Sequence, residues 1–267
     1  GYSLKVLSYE GCPKFNNKAS QASKDDFLDW HLAEIKLRLF LMQGVLPIFK
    51  SHYSIGRSIL TLENPEDTKK NGPDSIVDIA TEAGLKKLFL VEDSMAGFLE
   101  AYTNCKSVGI DLVFGLRITL CKDMLEKNEE SRQLSSKYII FARNTKGYNK
   151  LIKIYSSAAK DGFYYEPRTD FASLKKIWND KDLMLVVPFY DSFIYKNVFT
   201  ACFCVPELEF TTPIFFLEDN LLPFDSLLED SVSAFCGDKY PSMKTKSIFY
   251  KNRKDFKSYL TFICINN

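Results

Sequence analysis

The sequence predicts an α/β fold, in the form of a closed or nearly closed β/α barrel. From Val45 onward, short apolar segments of strand character alternate with amphipathic segments of helical character. These strands are too numerous and too alike for an ordinary open sheet, and no glycine-rich phosphate loop is present. A chain of 267 residues with 46% hydrophobic and 26% charged residues is sufficient for one such globular domain.

The elements follow from hydrophobic periodicity and from breaker residues. Strands are predicted at residues 45–49, 87–91, 111–120, 138–142, 183–187 and 214–217. Helices are predicted at residues 73–83, 95–107, 146–159, 171–178, 224–235 and 255–263. The charged segment 122–136 is predicted to be an exposed loop. Because barrel chemistry lies on the loops that follow the strands, the informative positions are near residues 50–57, 92–95, 117, 188–192 and 245–250.

The first 44 residues differ from the rest and are predicted to form an N-terminal extension before a barrel domain at residues 45–267. A polar, irregular stretch leads into an amphipathic helix at residues 27–42, with Phe27, Trp30, Leu37 and Leu41 on one side. Two interpretations stay open for this helix. It covers one end of the barrel, or it docks on another protein.

Charge and hydropathy restrict the classes of partner. The chain has 35 basic and 34 acidic side chains, so the basic surplus of proteins that hold nucleic acid by themselves is missing. Weak or no autonomous nucleic-acid binding is therefore expected. No apolar run approaches the roughly 20 residues that span a bilayer, so the sequence predicts a cytoplasmic protein without a membrane partner.

The cysteines indicate neither disulfides nor a zinc site. Seven of them are scattered along the chain without a C-x-x-C pair. They are predicted to be reduced and mostly buried, and alternation would place Cys202 and Cys204 on one face of a strand. The two histidines, His31 and His52, are far apart in sequence and are expected to be ordinary surface residues.

Five segments resemble a known family. They are PIFKSHYSIGRSIL (47–60), LKKLFLVEDSMAGFLEAY (85–102), GIDLVFGLRITLC (109–121), SKYIIFARNTKGYNKLIKIYSSAAKDGFYYEPRTDFASLKKI (136–177) and MKTKSIFYKNRKDF (243–256). Together they resemble the polymerase-and-histidinol-phosphatase (PHP) domain of the bacterial DNA polymerase III alpha subunit, most closely over residues 136–177. The resemblance implies a distorted TIM-like (β/α) barrel of the PHP type, here with an N-terminal helical extension.

The family binds several divalent metals through His, Asp and Glu and uses them to cleave phosphoesters. The matching positions of this chain are Leu46, Ile48, Lys50, Arg57, Glu92, Asp93, Arg117, Tyr190, Ser247 and Phe249. Aliphatic side chains offer a metal no lone pair, and lysine and arginine repel it. Only Glu92 and Asp93 keep carboxylate ligands. We therefore expect no metal, no cofactor and no catalytic residue in this chain.

The cations among these positions suggest a replacement for the metals. Lys50, Arg57 and Arg117 are predicted to form an ion-pair cluster with Glu92 and Asp93, because buried carboxylates need partners. The alternative is that these side chains point into solvent at the mouth of the barrel.

The aromatic segment at Phe163, Tyr164 and Tyr165, with Arg168, also has two interpretations. It stacks on nucleic-acid bases, or it packs against a neighbouring domain.

The resemblance implies a function in DNA replication. The chain is interpreted as a non-catalytic, pseudoenzyme scaffold of a polymerase III alpha-like replicase, a nucleotidyltransferase, with no hydrolase or polymerase activity of its own. Expected partners are replisome proteins and polymerase core domains, in the same chain or in a separate subunit. The richness in Lys, Asn, Phe and Ile fits an AT-rich genome, so a bacterial or phage-infected cell is the expected setting.

Two alternatives stay open. A metal-dependent phosphoesterase or 3′–5′ proofreading exonuclease would need a site rebuilt from Glu92 and Asp93 with Asp191 or Glu218. A sequence-independent DNA-binding module would bind with a steep dependence on salt.

Overall fold

The structure, a computed structural model, describes residues 44–64, 72–200 and 202–266. The predicted N-terminal helix at 27–42 lies outside the described residues. It stays a prediction, as does the division of the chain at residue 44.

Strands and helices alternate along most of the described chain. The strands are β1 (Leu46–Phe49), β2 (Lys87–Glu92), β3 (Asp111–Cys121), β4 (Ser136–Ala142), β5 (Arg168–Asp170), β6 (Leu183–Val187), β7 (Ile214–Leu217) and β8 (Ser242–Ile248). The helices are α1 (Ile76–Glu82), α2 (Phe98–Ser107), α3 (Glu129–Gln133), α4 (Thr145–Lys160), α5 (Phe171–Ile177), α6 (Phe193–Phe199), α7 (Asp225–Cys236) and α8 (Phe256–Asn266). The predicted strands and main helices are present, with ends shifted by a few residues.

Seven strands close into a barrel, which confirms the predicted fold class. Their order around the ring is β1-β8-β7-β6-β4-β3-β2, and β2 pairs with both β1 and β3. Among the described strands, β5 pairs only with the C-terminal end of β3. Alternate strand residues fill the lumen with an apolar cluster that includes Ile48, Val91, Phe141 and Phe216. The opposite faces of the strands pack against the helices.

One strand runs against the expected direction. The alternation of strands and helices predicts a wholly parallel sheet, but β4 is antiparallel to both β3 and β6. The reason lies in the connection from β3 to β4, which contains only the five-residue helix α3 and does not return along the outside of the barrel. The chain therefore re-enters the sheet at the end where β3 left it. As a result, β4 begins at the mouth of the barrel.

The β3–β4 connection is largely exposed, as its charges predict, but it contains the short helix α3 and is anchored at three serines. Ser131, Ser135 and Ser136 are buried, whereas the charged residues of the connection are all exposed. The fully buried Arg168 holds this connection by donating to the hydroxyl of Ser131 at 3.1 Å and to the carbonyl of Glu126 at 3.0 Å. A buried guanidinium with carbonyl and hydroxyl acceptors explains why a charged segment is fixed against the barrel.

The Asn-x-x-Gly-Tyr turn starts helix α4. The side chain of Asn144 caps this helix by accepting from the amide of Gly147 at 2.9 Å. A side-chain carbon at position 147 would lie 2.0 Å from the carbonyl oxygen of Asp182. Only glycine therefore allows the helix to approach this loop so closely.

The predicted strand at Cys202 and Cys204 is absent: residues 202–208 have no regular structure. The amide of Cys204 instead donates to the side chain of Asn197 at 2.7 Å, at the end of α6. The six cysteines within the described residues are free, and four of them are buried.

Within the described residues, no helix is long and apolar enough to cross a bilayer.

Candidate functional site at the barrel mouth

Three of the ten positions that the resemblance pairs with metal ligands lie on β1 or directly after it. Leu46 and Ile48 point into the lumen and pack in its apolar cluster. Lys50 comes directly after the strand, two residues beyond Ile48, and is buried at the mouth. The alternation of β1 therefore brings one cation to the place where the lumen meets the loops.

A chain of ion pairs crosses the mouth. Lys50 Nζ lies 2.9 Å and Arg117 Nη1 lies 3.2 Å from the same oxygen, Oδ1, of Asp93. Arg117 also pairs through Nη2 with Asp191. Both cations are largely buried, with side-chain exposures of 9% for Lys50 and 11% for Arg117. We call Lys50, Asp93, Arg117 and Asp191 the mouth cluster.

The electrostatics of the mouth cluster follow from burial and pairing. Burial lowers the pKa of Lys50 to about 8, although the negative charge of Asp93 opposes this shift. Burial also pushes the pKa of Asp93 upward, but the attraction of Lys50 and Arg117 is stronger and holds that pKa well below its ordinary value. Asp93 is therefore a carboxylate at neutral pH.

Glu92 has a different environment from its neighbour Asp93. It lies on the outer face of β2, is fully buried, and accepts from the amide of Ser51 at 2.8 Å and from the hydroxyl of Ser54. Burial raises the pKa of Glu92, and the hydrogen bonds from Ser51 and Ser54 oppose the shift. Among the described residues, no cation lies within ion-pair distance of Glu92. Its contacts fix the turn after β1.

Arg57 also lies apart from the predicted ion-pair cluster. Its side chain is exposed at the rim, and in the described part of the chain it forms no ion pair with Glu92 or Asp93. The structure thus joins three of the five predicted residues. It adds Asp191, which the sequence singled out only as a ligand of a rebuilt metal site.

The remaining positions that the resemblance pairs with metal ligands take part in ordinary contacts. The Tyr190 hydroxyl donates to Asp225 at 2.8 Å, and the Ser247 hydroxyl donates to Glu218 at 2.7 Å. Burial raises the pKa of Glu218, against the effect of its hydrogen bond from Ser247. The ring of Phe249 stacks on Tyr259 with centroids 5.8 Å apart.

A further ion pair at the mouth, outside the mouth cluster, was not anticipated from the sequence. Lys137, at the start of β4, pairs with Glu166, which also accepts from the hydroxyl of Thr119 at 2.7 Å. The sequence did contain a signal for Lys137. Ile139 and Phe141 face the lumen, and strand alternation places Lys137 on the same face. This signal became informative only once β4 was known to start at the mouth.

A cleft of about 390 Å³ opens beside the mouth cluster. We call it the rim cleft. Its lining is formed by Arg57, Thr119, Glu129, Arg132, Gln133, Ser135, Ser136, Lys137, Glu166, Asp191 and Lys196. Within the described ranges, no three His, Cys, Asp or Glu side chains converge closely enough to hold a metal ion.

Comparison with known proteins gives a consistent result. Residues 69–193 match the family model described as PHP domain. Similar proteins include DNA polymerase III subunit alpha of Borreliella burgdorferi, 29% identical over 104 residues, which cover 38% of this chain and 9% of the relative. The subunit of Helicobacter pylori is 31% identical over 96 residues, or 36% of this chain and 8% of the relative. That of Aquifex aeolicus is 30% identical over 112 residues, or 39% and 10%. The matched part spans about a tenth of these relatives or less.

Proposed function

We propose that this chain, which matches the PHP domain family over residues 69–193 and is similar to DNA polymerase III alpha subunits, serves DNA replication as a non-catalytic scaffold. Its partners would be the polymerase core, in the same chain or in another subunit, and other proteins of the replisome. The near balance of 35 basic and 34 acidic side chains supports contacts with proteins over strong independent binding of DNA.

The observation that carries the proposal is the double pairing of Asp93. Lys50 and Arg117 both donate to one oxygen of this carboxylate, at 2.9 Å and 3.2 Å. A divalent ion bound there would meet two fixed positive charges at close range, in a partly buried site where repulsion is strong. The side chains present do not fit a metal cluster, and they support a degenerate metal site whose charges are balanced by the protein itself.

The other former ligand positions support the same proposal. Leu46 and Ile48 are packed in the apolar lumen and have no lone pair for a metal. Glu92 is oriented away from the mouth, and each of its oxygens accepts a hydrogen bond, from Ser51 or Ser54. We infer that these residues stabilise the barrel rather than perform hydrolysis.

Metal content and hydrolysis test the non-catalytic part. The purified chain is incubated with Mn²⁺ or Zn²⁺, desalted and analysed for metal, and then assayed on a phosphodiester and on single-stranded DNA. We expect far less than one metal per chain and no hydrolysis above background. Glu92→Gln serves as the matched variant. Stoichiometric metal together with hydrolysis that Glu92→Gln abolishes would instead support a phosphoesterase or 3′–5′ exonuclease.

The scaffold part has its own test. The chain is mixed with a polymerase III alpha subunit from which the PHP domain has been removed, and the mixture is separated by size-exclusion chromatography. We expect co-elution and a longer half-life of polymerase activity at elevated temperature. Separate elution and an unchanged half-life would contradict the scaffold role.

A further inference from the structure

We propose that the rim cleft binds the phosphate group of a nucleotide without a metal ion. The cleft is built mainly from the β3–β4 connection, the start of β4 and the loop and helix around Asp191 and Lys196. Arg132, Lys137 and Lys196 are not among the ten positions that the resemblance pairs with metal ligands. The cleft shares Arg57 with those positions and Asp191 with the mouth cluster, and it adds these three cations.

The charges of the rim cleft leave a local positive surplus. Each of its three carboxylates is already paired with one cation: Glu129 with Arg132, Glu166 with Lys137, and Asp191 with Arg117. In the described part of the chain, the two remaining cations, Arg57 and Lys196, have no carboxylate within 4.0 Å. A phosphate monoester carries a charge of about −1.5 to −2 at neutral pH, which matches this surplus.

Two hydrogen bonds fix the ammonium group of Lys196 and leave it one further N–H to donate. Its ammonium group donates to the carbonyl of Gln133 at 3.2 Å and to the carbonyl of Ser135 at 2.5 Å. An ammonium group has three donors, so one remains for a ligand. These two bonds tie helix α6 to the β3–β4 connection and fix the charge at the wall of the cleft.

Arg57 offers the second donor group. Within the described residues its guanidinium takes part in no ion pair or side-chain hydrogen bond, and it lies exposed at the rim. The planar fork of a guanidinium is suited to two oxygens of one phosphate. The hydroxyl-bearing residues Ser135, Ser136 and Thr119 also line the cleft.

The size and the rim of the cleft indicate a nucleotide rather than a bare anion. A volume of about 390 Å³ lies in the range of small-molecule sites, roughly 300–1,000 Å³. The guanidinium of Arg132, which lines the cleft, lies 4.6 Å from the ring centroid of Tyr165, and that tyrosine is 70% exposed. An exposed aromatic ring beside a cleft-lining arginine offers a face on which a base can stack.

Binding in the presence of EDTA tests the inference. Inorganic phosphate, a nucleoside monophosphate and a 5′-phosphorylated oligonucleotide are titrated separately by calorimetry. We expect one saturable site for the monophosphate, weakened about tenfold or more by Arg57→Met and by Lys196→Met, since each removes a charged donor. Lys153→Met, which removes an exposed lysine on α4 outside the cleft, is the matched control and is expected to change nothing.

Comparison of the three titrations distinguishes the possible ligands. Competition between the monophosphate and the oligonucleotide would show that a strand end uses the same site, and stronger binding of the monophosphate than of inorganic phosphate would support base stacking. Binding that requires added metal, binding that Arg57→Met leaves unchanged, or no saturable binding would overturn the inference. Arg57→Met tests the site even if Lys196→Met fails to fold, because Arg57 is exposed. The rim cleft and the scaffold role are independent, since neither metal content nor polymerase association enters this measurement.

Discussion

Lys50 and Asp93 are separated by 43 positions in the sequence, yet Lys50 Nζ lies 2.9 Å from Asp93 Oδ1. Strands β1 and β2 are parallel neighbours in the barrel, so the residues that follow them meet at the same end. Arg117 reaches the same oxygen from β3. Asp93 is thus the common partner of two nearly buried cations, and its removal has a predictable cost.

Asp93→Asn is expected to destabilise the chain by about 1–3 kcal/mol, because it leaves the buried charge of Lys50 without its anion. The expected loss of stability is smaller than for a fully buried ion pair, because the side chain of Asp93 is 32% exposed. The free energy of unfolding from urea titration checks this. Glu207→Gln, which breaks the exposed pair with Lys175, is the control, with an expected loss below about 1 kcal/mol. Equal effects of the two substitutions would contradict the importance of the mouth cluster.

The lowered pKa of Lys50 predicts a pH dependence of stability. In the folded chain Lys50 loses its proton near pH 8, whereas in the unfolded chain its pKa is the ordinary 10.5. Between these values the unfolded state binds more protons, so the stability of the folded state rises with pH.

Lys50→Met isolates this contribution. The free energy of unfolding of the native chain minus that of Lys50→Met is expected to rise by about 2 kcal/mol between pH 8 and pH 10. Other groups that titrate in this range are present in both proteins and largely cancel. A flat or falling difference would show that Lys50 does not carry a lowered pKa.

Arg168→Met is expected to destabilise the chain by about 3 kcal/mol and to loosen the β3–β4 connection. The substitution leaves the hydroxyl of Ser131 and the carbonyls of Glu126 and Gly162 without their donor. Hydrogen exchange of residues 122–135 checks the local effect, which should exceed that in α4. Arg132→Lys, at a half-exposed position in the same connection, should leave the exchange nearly unchanged.

Gly147→Ala is expected to cost about 3 kcal/mol or more, because the added carbon meets the carbonyl oxygen of Asp182 at 2.0 Å. Thermal unfolding is the measurement. Ser156→Ala, an exposed position in the same helix, controls for helix propensity and should change stability by a few tenths of a kcal/mol. A tolerated alanine at position 147 would mean that α4 approaches the loop less closely.

The strands and helices of the barrel could be predicted from the sequence because their hydrophobic periods are local properties. The direction of β4 was not accessible in this way, since alternating side chains look the same in a parallel and an antiparallel strand. Strand β8 was missed for a related reason. Its sequence, SMKTKSI, is polar, and it becomes a strand through pairing with β1 and β7 on its two sides.

The members of the mouth cluster that could be predicted are those whose direction is set by strand alternation. Lys50 and Arg117 follow from the inward faces of β1 and β3, and the same rule separates Asp93 from Glu92, because consecutive residues point to opposite faces. Asp191 is different. It has a left-handed backbone, with φ of 62°, in a loop whose conformation depends on tertiary contacts such as its carbonyl bond to the amide of Lys137.

The apolar filling of the lumen has a consequence for the charged layer above it. With Ile48, Val91, Phe141 and Phe216 beneath, dissolved ions approach Lys50, Asp93 and Arg117 from the open end alone. Counter-ions therefore shield these attractions much less than those between surface charges. Concentrated salt should accordingly leave the barrel mouth intact while it weakens pairs on the outer helices.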